Sequence, residues 1–340
     1  MNIREHTRLA PFTTFRVGGE AQLFTACETE EEVSAAVAHA RDRGVPFLPF
    51  GSGSNILVPD EGVSGLAAKI EINRISFEER GDTVDVSAGA GVVWDALVQE
   101  AAARNLWGIE NLAGIPGTVG GAPIQNIGAY GAELADTFLY ADAIDAASGT
   151  RQCIDTPAAR FGYRDSVFKK NRNLILTRIV LRLSRTPKPH LAYRDLADAR
   201  GRSEPLNSPG EIGAAVRRIR SAKFPDLAQE GTAGSFFKNP VVSRATADAL
   251  VKKFPSLPIF PRAGGSVKLS LAWLLDHALA LKGFAVRQAR LFERQPLVIV
   301  ASRGASAHDI DACAQEVEKR VQNATGITLV REVETFGARR

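Results

Sequence analysis

Apolar residues recur along the chain with two periods, and the alternation between them sets the expected elements. Val33, Val37 and Ala40 fall on one helical face behind Thr29-Glu30-Glu31-Glu32, a capping-box pattern, and Gly44 closes the helix. Trp94, Leu97, Val98 and Ala101 mark a second helix over 92–104. Helices are also expected over 211–223, 243–254, 270–280 and 307–324, the last burying Ile310, Cys313, Val317 and Val321. Short β-rich runs at 63–70, 72–78, 83–87, 139–146, 151–155 and 174–183 are separated by Gly, Asp or Asn and read as strands. The two prolines of Val45–Phe50 restrict that run to a short or edge strand, and it feeds directly into Gly51-Ser52-Gly53-Ser54-Asn55. Leu297–Ala301 is a strand flanked by helices, another begins near Ile327, and 201–210 reads as a linker or loop. The first two hundred residues therefore read as α+β and the remainder as α/β.

At 340 residues the chain is longer than one hydrophobic core usually serves, so more than one domain is expected. The net charge of +4 imposes no electrostatic footprint for duplex nucleic acid. Cys27, Cys153 and Cys313 are distant from one another and odd in number, which argues against a disulfide framework and against zinc. No run reaches the roughly 18 apolar residues of a spanning helix, and the N-terminal charges have no apolar segment behind them, so a cytoplasmic protein without membrane association is expected. The five histidines, His6, His39, His190, His277 and His308, stand in no motif that would supply a catalytic base.

Two glycine-rich stretches carry the first chemistry. Gly51–Asn55 can bring backbone N–H groups close to a diphosphate, yet Ile56 stands where a dinucleotide fingerprint would need glycine, and no helix pattern follows. The run from Gly114 to Gly131 packs six glycines into eighteen residues, a density suited to close approach to a flat cofactor. Three further segments complete the picture: Phe161-Gly-Tyr-Arg164-Asp-Ser-Val-Phe-Lys169, Gly231-Thr-Ala-Gly-Ser235-Phe-Phe-Lys-Asn-Pro240 and Leu329-Val-Arg-Glu332-Val333.

In order and spacing these motifs resemble the UDP-N-acetylenolpyruvoylglucosamine reductase family, flavoenzymes of peptidoglycan precursor synthesis. The resemblance implies an FAD-binding fold of the vanillyl-alcohol oxidase type with a C-terminal α/β substrate-binding domain. The implied division is 1–70 and 71–218 for FAD, 219–326 for substrate, and a C-terminal strand 327–340 returning to the active site. It implies FAD contacts from Gly51, Ser52, Gly53, Ser54, Asn55, Gly114, Ile115, Pro116, Gly117, Gly120, Gly121, Gln125, Asn126 and Gly128. The flavin is expected to be noncovalent, because no histidine stands beside Gly53 to tether it. The resemblance also implies NADPH as hydride donor and a UDP-sugar as substrate, and the protein is expected to act as a monomer with no metal.

The resemblance further implies that hydride from the flavin adds to the vinyl CH2 of an enolpyruvyl ether, leaving carbanion character beside a carboxylate. Arg164 would hold that carboxylate, Glu332 would hydrogen-bond the enolate from a carboxyl raised in pKa, and Ser235 would protonate carbon. Tyr193 and Lys223 would clamp the diphosphate, with Asn239 and Tyr130 also toward the substrate. Phe260 stands where relatives commonly carry tyrosine, which removes one hydroxyl contact. An FAD oxidase of the same superfamily and a non-catalytic flavin-binding protein are the alternatives; Ser235, Glu332 and the lysine for the UDP group argue against the first, and the second has no need for Ser235, Arg164 and Glu332 together.

Overall fold

The computed structural model describes Met1–Ala338. The chain divides into two compact units: Met1–Thr7, Ala21–Ser52 and Val63–Ser221 form the first, and Arg8–Glu20, Gly53–Gly62 and Ala222–Arg340 the second. The division falls inside the first glycine loop, between Ser52 and Gly53.

In the first unit, Glu20–Cys27 and Phe47–Phe50 both pair in parallel with the central strand Val63–Ile70, so Ala67 stands between Phe24 and Leu48. Phe47–Phe50 lies at the sheet edge, where Pro49 leaves no ladder bond unmade. Helix Glu30–Asp42 is capped by Thr29, whose hydroxyl accepts from the Glu32 N–H. The reciprocal half of the box shifts by one residue, since the Glu32 carboxylate accepts from the Glu28 N–H at 2.8 Å.

A second, antiparallel sheet runs in the order Arg151–Asp155, Phe138–Asp145, Leu174–Ser184, Thr83–Gly89, Ile75–Arg80. Its alternation is that of a sheet with one buried face: Val84, Val86 and Ala88 are buried, while the cross-strand pair Arg182 and Asp85 closes a salt bridge at 2.7 Å. Helix Trp94–Ala103 buries the four residues its period marked, and the Trp94 indole N–H donates to the Leu112 carbonyl at 3.0 Å. Helix Arg194–Gly201 precedes the polar loop, and Pro209 opens helix Pro209–Lys223.

The second unit mixes helices with two small antiparallel sheets, Val241–Ser243 with Ser266–Leu269 and Ile259–Pro261, and Ala285–Val286 with Ala289–Phe292 and Gln295–Ala301. Helix Ala307–Thr325 buries Ile310, Cys313, Val317 and Val321 against them. Its start is doubly satisfied: Ser306 and Asp309 make a capping box, and Asp60 accepts from the N–H groups of Ala307 and His308 at 2.8 and 2.9 Å.

Two expectations are corrected here. The helix expected over 270–280 is one α turn, Leu271–Trp273, running into a π turn, Leu274–Ala278, in which Trp273 and His277 stack with centroids 5.2 Å apart. No strand begins at Ile327. Arg331 makes a single bridge to Phe237, and Glu334–Thr335 alone pairs, in parallel with Ile56–Leu57. Of the expected 327–340 strand, residues 339–340 lie outside those described. Among the described residues, no helix is long and apolar enough to cross a membrane.

Candidate active site

Arg164 is built by a tight hairpin. Gly162 and Asp165 exchange backbone hydrogen bonds at 2.9 and 3.3 Å, which leaves Tyr163 and Arg164 as the two turn residues. Arg164 takes φ +52°, a left-handed conformation costly for a side chain of its size. Its guanidinium donates to the carbonyls of Gly128, at 2.6 Å, and Asn126, at 3.3 Å, fixing it to the second glycine run. Asp165, its neighbour in sequence and the simplest alternative partner, pairs instead with Lys170 at 2.6 Å. Ser166 completes the motif by capping the turn Val167–Lys170 and donating to the Ile124 carbonyl at 2.7 Å. Phe161 and Phe168 pack with Phe138 beneath it.

Asn126, expected among the cofactor contacts, commits its side chain internally. Its amide donates to Glu133 and to the Gly162 carbonyl and accepts from the Ala135 N–H. It therefore shapes the run that anchors Arg164. Like Arg164, both Asn126 and Tyr130 have positive φ, at +47° and +49°. Left-handed residues of this kind concentrate where a structure stores strain for function.

Tyr130 lies on the small hairpin formed by Gly128–Ala129 and Ala132–Glu133. Its ring meets Tyr193 edge-on, with centroids 5.3 Å apart. Asn111 joins their two segments, donating to the carbonyls of Tyr130 and His190, each at 2.8 Å. Burial pushes the Tyr130 phenol up to about 12, so it stays neutral, and it hydrogen-bonds Arg220. Arg220 also donates to the Gly114 carbonyl at 3.0 Å, and burial lowers its pKa. Asp95 accepts from the Gly114 N–H at 2.6 Å and from Arg217 at 2.9 Å. The sequence reading assigned no role to Arg220, Arg217 or Asn111. A signal existed for the arginines: 217 and 220 are three apart in one helix and share a face.

In the second unit the Ser235 segment lies between two others. Ser235 bridges Val298, and the Phe236 N–H donates to the Leu297 carbonyl at 2.7 Å. On the other side, the Glu332 N–H donates to the Phe236 carbonyl at 2.8 Å, and the Lys238 N–H to the Val330 carbonyl at 2.9 Å. Asn55 closes the arrangement, its side-chain amide donating to the Glu332 carbonyl at 3.1 Å while its carbonyl accepts from the Glu334 N–H. Three segments far apart in sequence are thus joined main chain to main chain around Ser235 and Glu332. Phe236 and Phe237 are 1% exposed and wall the segment, and Glu332 itself is buried. Asn239 accepts from the Leu271 N–H at 3.0 Å, so its carbonyl oxygen is a helix cap. Lys223 ends helix Pro209–Lys223, while Tyr193 and Phe260 are both exposed.

The glycine loops fit a cofactor, and at three positions the chain's own packing also calls for glycine. A methyl group at Gly51 would meet the Thr118 hydroxyl at 2.4 Å, at Gly53 the Phe12 carbonyl at 2.6 Å, and at Gly120 the Ala90 methyl at 2.6 Å. The chain's own packing requires glycine there. Two features are left for a ligand: among the described residues the Ser52 hydroxyl is buried with no hydrogen-bond partner, and Gly121 is exposed, a methyl added there coming no closer than 3.4 Å to its described neighbours. These are the groups through which the loops can take the oxygens of a ligand such as FAD. Gly120→Ala is expected to cost about 1–3 kcal/mol of overpacking, a drop of roughly 2–12 °C in Tm. Gly121→Ala should melt with the wild type; a Gly120→Ala protein melting at the wild-type temperature would contradict the packing explanation.

Residues 21–154 match a family model described as FAD binding domain, and residues 226–336 match one described as the UDP-N-acetylenolpyruvoylglucosamine reductase C-terminal domain. The chain is 40% identical over 336 residues to UDP-N-acetylenolpyruvoylglucosamine reductase of Pseudomonas aeruginosa, covering 98% of each, and 38% identical to that of Escherichia coli K12, covering 97% of this chain and 96% of the relative. The crystal structure of UDP-N-acetylenolpyruvylglucosamine reductase from Thermus caldophilus superposes with a TM-score of 0.68 at 28% identity, covering 98% of this chain and all of the other. On this likeness over nearly its whole length, the chain belongs to the UDP-N-acetylenolpyruvoylglucosamine reductase family.

Proposed function

We infer that this chain reduces the enolpyruvyl ether of UDP-N-acetylglucosamine to UDP-N-acetylmuramate, as an FAD-dependent, NADPH-consuming enzyme of peptidoglycan precursor synthesis. The observation that carries the reading is the set of bonds that brings the Ser235-Phe236 segment, Glu332 and Asn55 together: the Glu332 N–H donates to the Phe236 carbonyl and the Asn55 side-chain amide donates to the Glu332 carbonyl. It supports a serine hydroxyl and a carboxyl group serving one reacting group. FAD, when bound, would supply two-electron hydride chemistry between NADPH and the enolpyruvyl CH2 carbon.

The remaining work falls to the protein. As the new C–H bond forms, the electron pair of the C=C bond moves to the carbon beside the carboxylate. Arg164, fixed by two carbonyls, faces that carboxylate with a charged planar fork and disperses the developing enolate charge. Glu332 hydrogen-bonds the same group from its buried position. Ser235 then gives its proton to carbon, a transfer open to a weak acid because the acceptor is a carbanion; solvent reprotonates the oxygen. The flavin is held without a covalent link, through Ser52, Ser54 and the backbone of the Gly51–Asn55 and Gly114–Gly128 runs. Ile115, Pro116, Gly117 and Gln125 line the second of these. Tyr193, Tyr130, Lys223 and Asn239 serve the UDP-sugar.

Lys223→Ala is expected to raise the Michaelis constant for the UDP substrate about tenfold to a hundredfold, the range of a hydrogen bond to a charged group. An unchanged constant would leave Lys223 a solvated helix-end cation. The protein is taken to act as a monomer in the cytoplasm, and its cysteines Cys27, Cys153 and Cys313 are free. The whole reading is tested by steady-state turnover of the purified holoenzyme. UDP-N-acetylmuramate should appear in equal amount to the NADPH consumed, and equal turnover with oxygen and no nucleotide substrate would identify an oxidase instead.

A further inference from the structure

Asn111 lies in the short 3-10 turn Glu110–Leu112 and is only 2% exposed. Its side-chain nitrogen donates to the carbonyls of Tyr130 and His190, each at 2.8 Å, so one amide reaches segments 19 and 79 residues away. Both neighbours at that end are acceptors, which fixes the amide with its nitrogen toward them. The two segments meet elsewhere as well. A methyl group added at Gly131, which follows Tyr130 at φ +87°, would come within 3.0 Å of the His190 ring. The rings of Tyr130 and Tyr193 then stand edge-on, with centroids 5.3 Å apart and planes at 78°.

The backbones that Asn111 joins are those that carry the two tyrosines. Tyr130 takes φ +49°, a left-handed conformation costly for a large side chain, and the Asn111 bond holds its carbonyl in that conformation. His190 stands three residues before Tyr193, whose own carbonyl accepts from the Leu196 and Ala197 N–H groups, both at 2.9 Å, at the start of helix Arg194–Gly201. Tyr193 is thus set from both sides, by its helix after it and by Asn111 before it, while its side of the pair stays open to a ligand at 46% exposure. We propose that Asn111 is a positioning residue for substrate binding: holding both backbones on one amide, it sets Tyr193 against Tyr130 where Tyr193 takes the diphosphate of the UDP-sugar. The proposal rests on the assignment of Tyr193 given above. An aspartate at 111 would keep the size and shape of the side chain but turn carboxylate oxygens toward the two carbonyls, so the pair of bonds would be lost.

A double-mutant comparison on the oxidised holoenzyme separates the two ideas. Binding of UDP-N-acetylmuramate is measured by titration calorimetry for wild type, Asn111→Asp, Tyr193→Ala and the double variant. Asn111→Asp should bind about tenfold to a hundredfold more weakly, the range of the hydrogen bond to a charged group that a displaced Tyr193 no longer makes. It should keep its flavin and a kcat within about threefold of wild type, because a contact to the diphosphate is the same in the ground and transition states. In the Tyr193→Ala background the same change should cost less than about threefold, since the ring it positions is gone. Asn111→Ser, which keeps one hydroxyl donor for one carbonyl, should bind with intermediate affinity and carries the test if Asn111→Asp folds poorly. Additive losses, affinity within about twofold of wild type in both Asn111 variants, or a fall in kcat and flavin content as large as the fall in affinity would overturn the proposal while leaving the role of Tyr193 intact. Wild-type affinity in Tyr193→Ala would overturn that role and the proposal with it.

Discussion

Ser235→Ala should retain its flavin and be reduced by NADPH at the wild-type rate, yet be reoxidised by the enolpyruvyl nucleotide at least about 10²–10⁴-fold more slowly. Reduction by NADPH moves a hydride and needs no hydroxyl, whereas the second half-reaction leaves a carbanion with no other assigned donor. The backbone should not suffer. Ser235 is held through main-chain pairing with Val298, and its neighbour Phe236 bonds Leu297 and Glu332, so loss of the hydroxyl removes no ladder bond. Ser235→Cys, a stronger acid of similar size, should recover part of the rate. Rapid-mixing reoxidation of the alanine variant within about threefold of wild type would place the donor elsewhere.

Arg164→Lys should lower kcat/KM for the UDP substrate about 10²–10³-fold, the usual cost of removing one donor aimed at developing charge. Lysine keeps the positive charge but not the fork, and it cannot bond the Asn126 and Gly128 carbonyls while also holding a carboxylate in plane. The turn conformation at φ +52° is as costly for lysine as for arginine, so stability should change little. Stopped-flow traces separate the steps: flavin reduction should match wild type and reoxidation should fall. Equal slowing of both would mean that Arg164 shapes the flavin site instead.

Much of this arrangement was legible in the chain, because local rules agreed with the fold. Strands 63–70 and 151–155 fall where their β-rich composition placed them, and helix Ala307–Thr325 buries the four residues its period marked. The Phe161–Lys169 motif singled out Arg164, but not its partners. Nothing local says that Arg164 bonds two carbonyls of the glycine run, because those contacts span thirty-six and thirty-eight residues. Glycine density suggested close approach to a cofactor; at Gly51, Gly53 and Gly120 the approach is to Thr118, Phe12 and Ala90. Residues 327–333 carry β-branched and apolar residues and so read as a strand, yet their bonds go to the Ser235 segment and to the Asn55 side chain. The π turn at Leu274–Ala278 escapes notice for a related reason: its leucines keep a helical apolar pattern through a change of pitch that periodicity cannot resolve.

Anaerobic double mixing asks whether one protein passes electrons from NADPH to an enolpyruvyl nucleotide through bound flavin. The yellow protein is mixed first with one equivalent of NADPH and then, once bleached, with UDP-N-acetylglucosamine enolpyruvate. The yellow colour should return in full in the second mix, with one UDP-N-acetylmuramate formed per flavin. A flavin that stays bleached until oxygen is admitted, with the nucleotide recovered unchanged, would contradict that transfer.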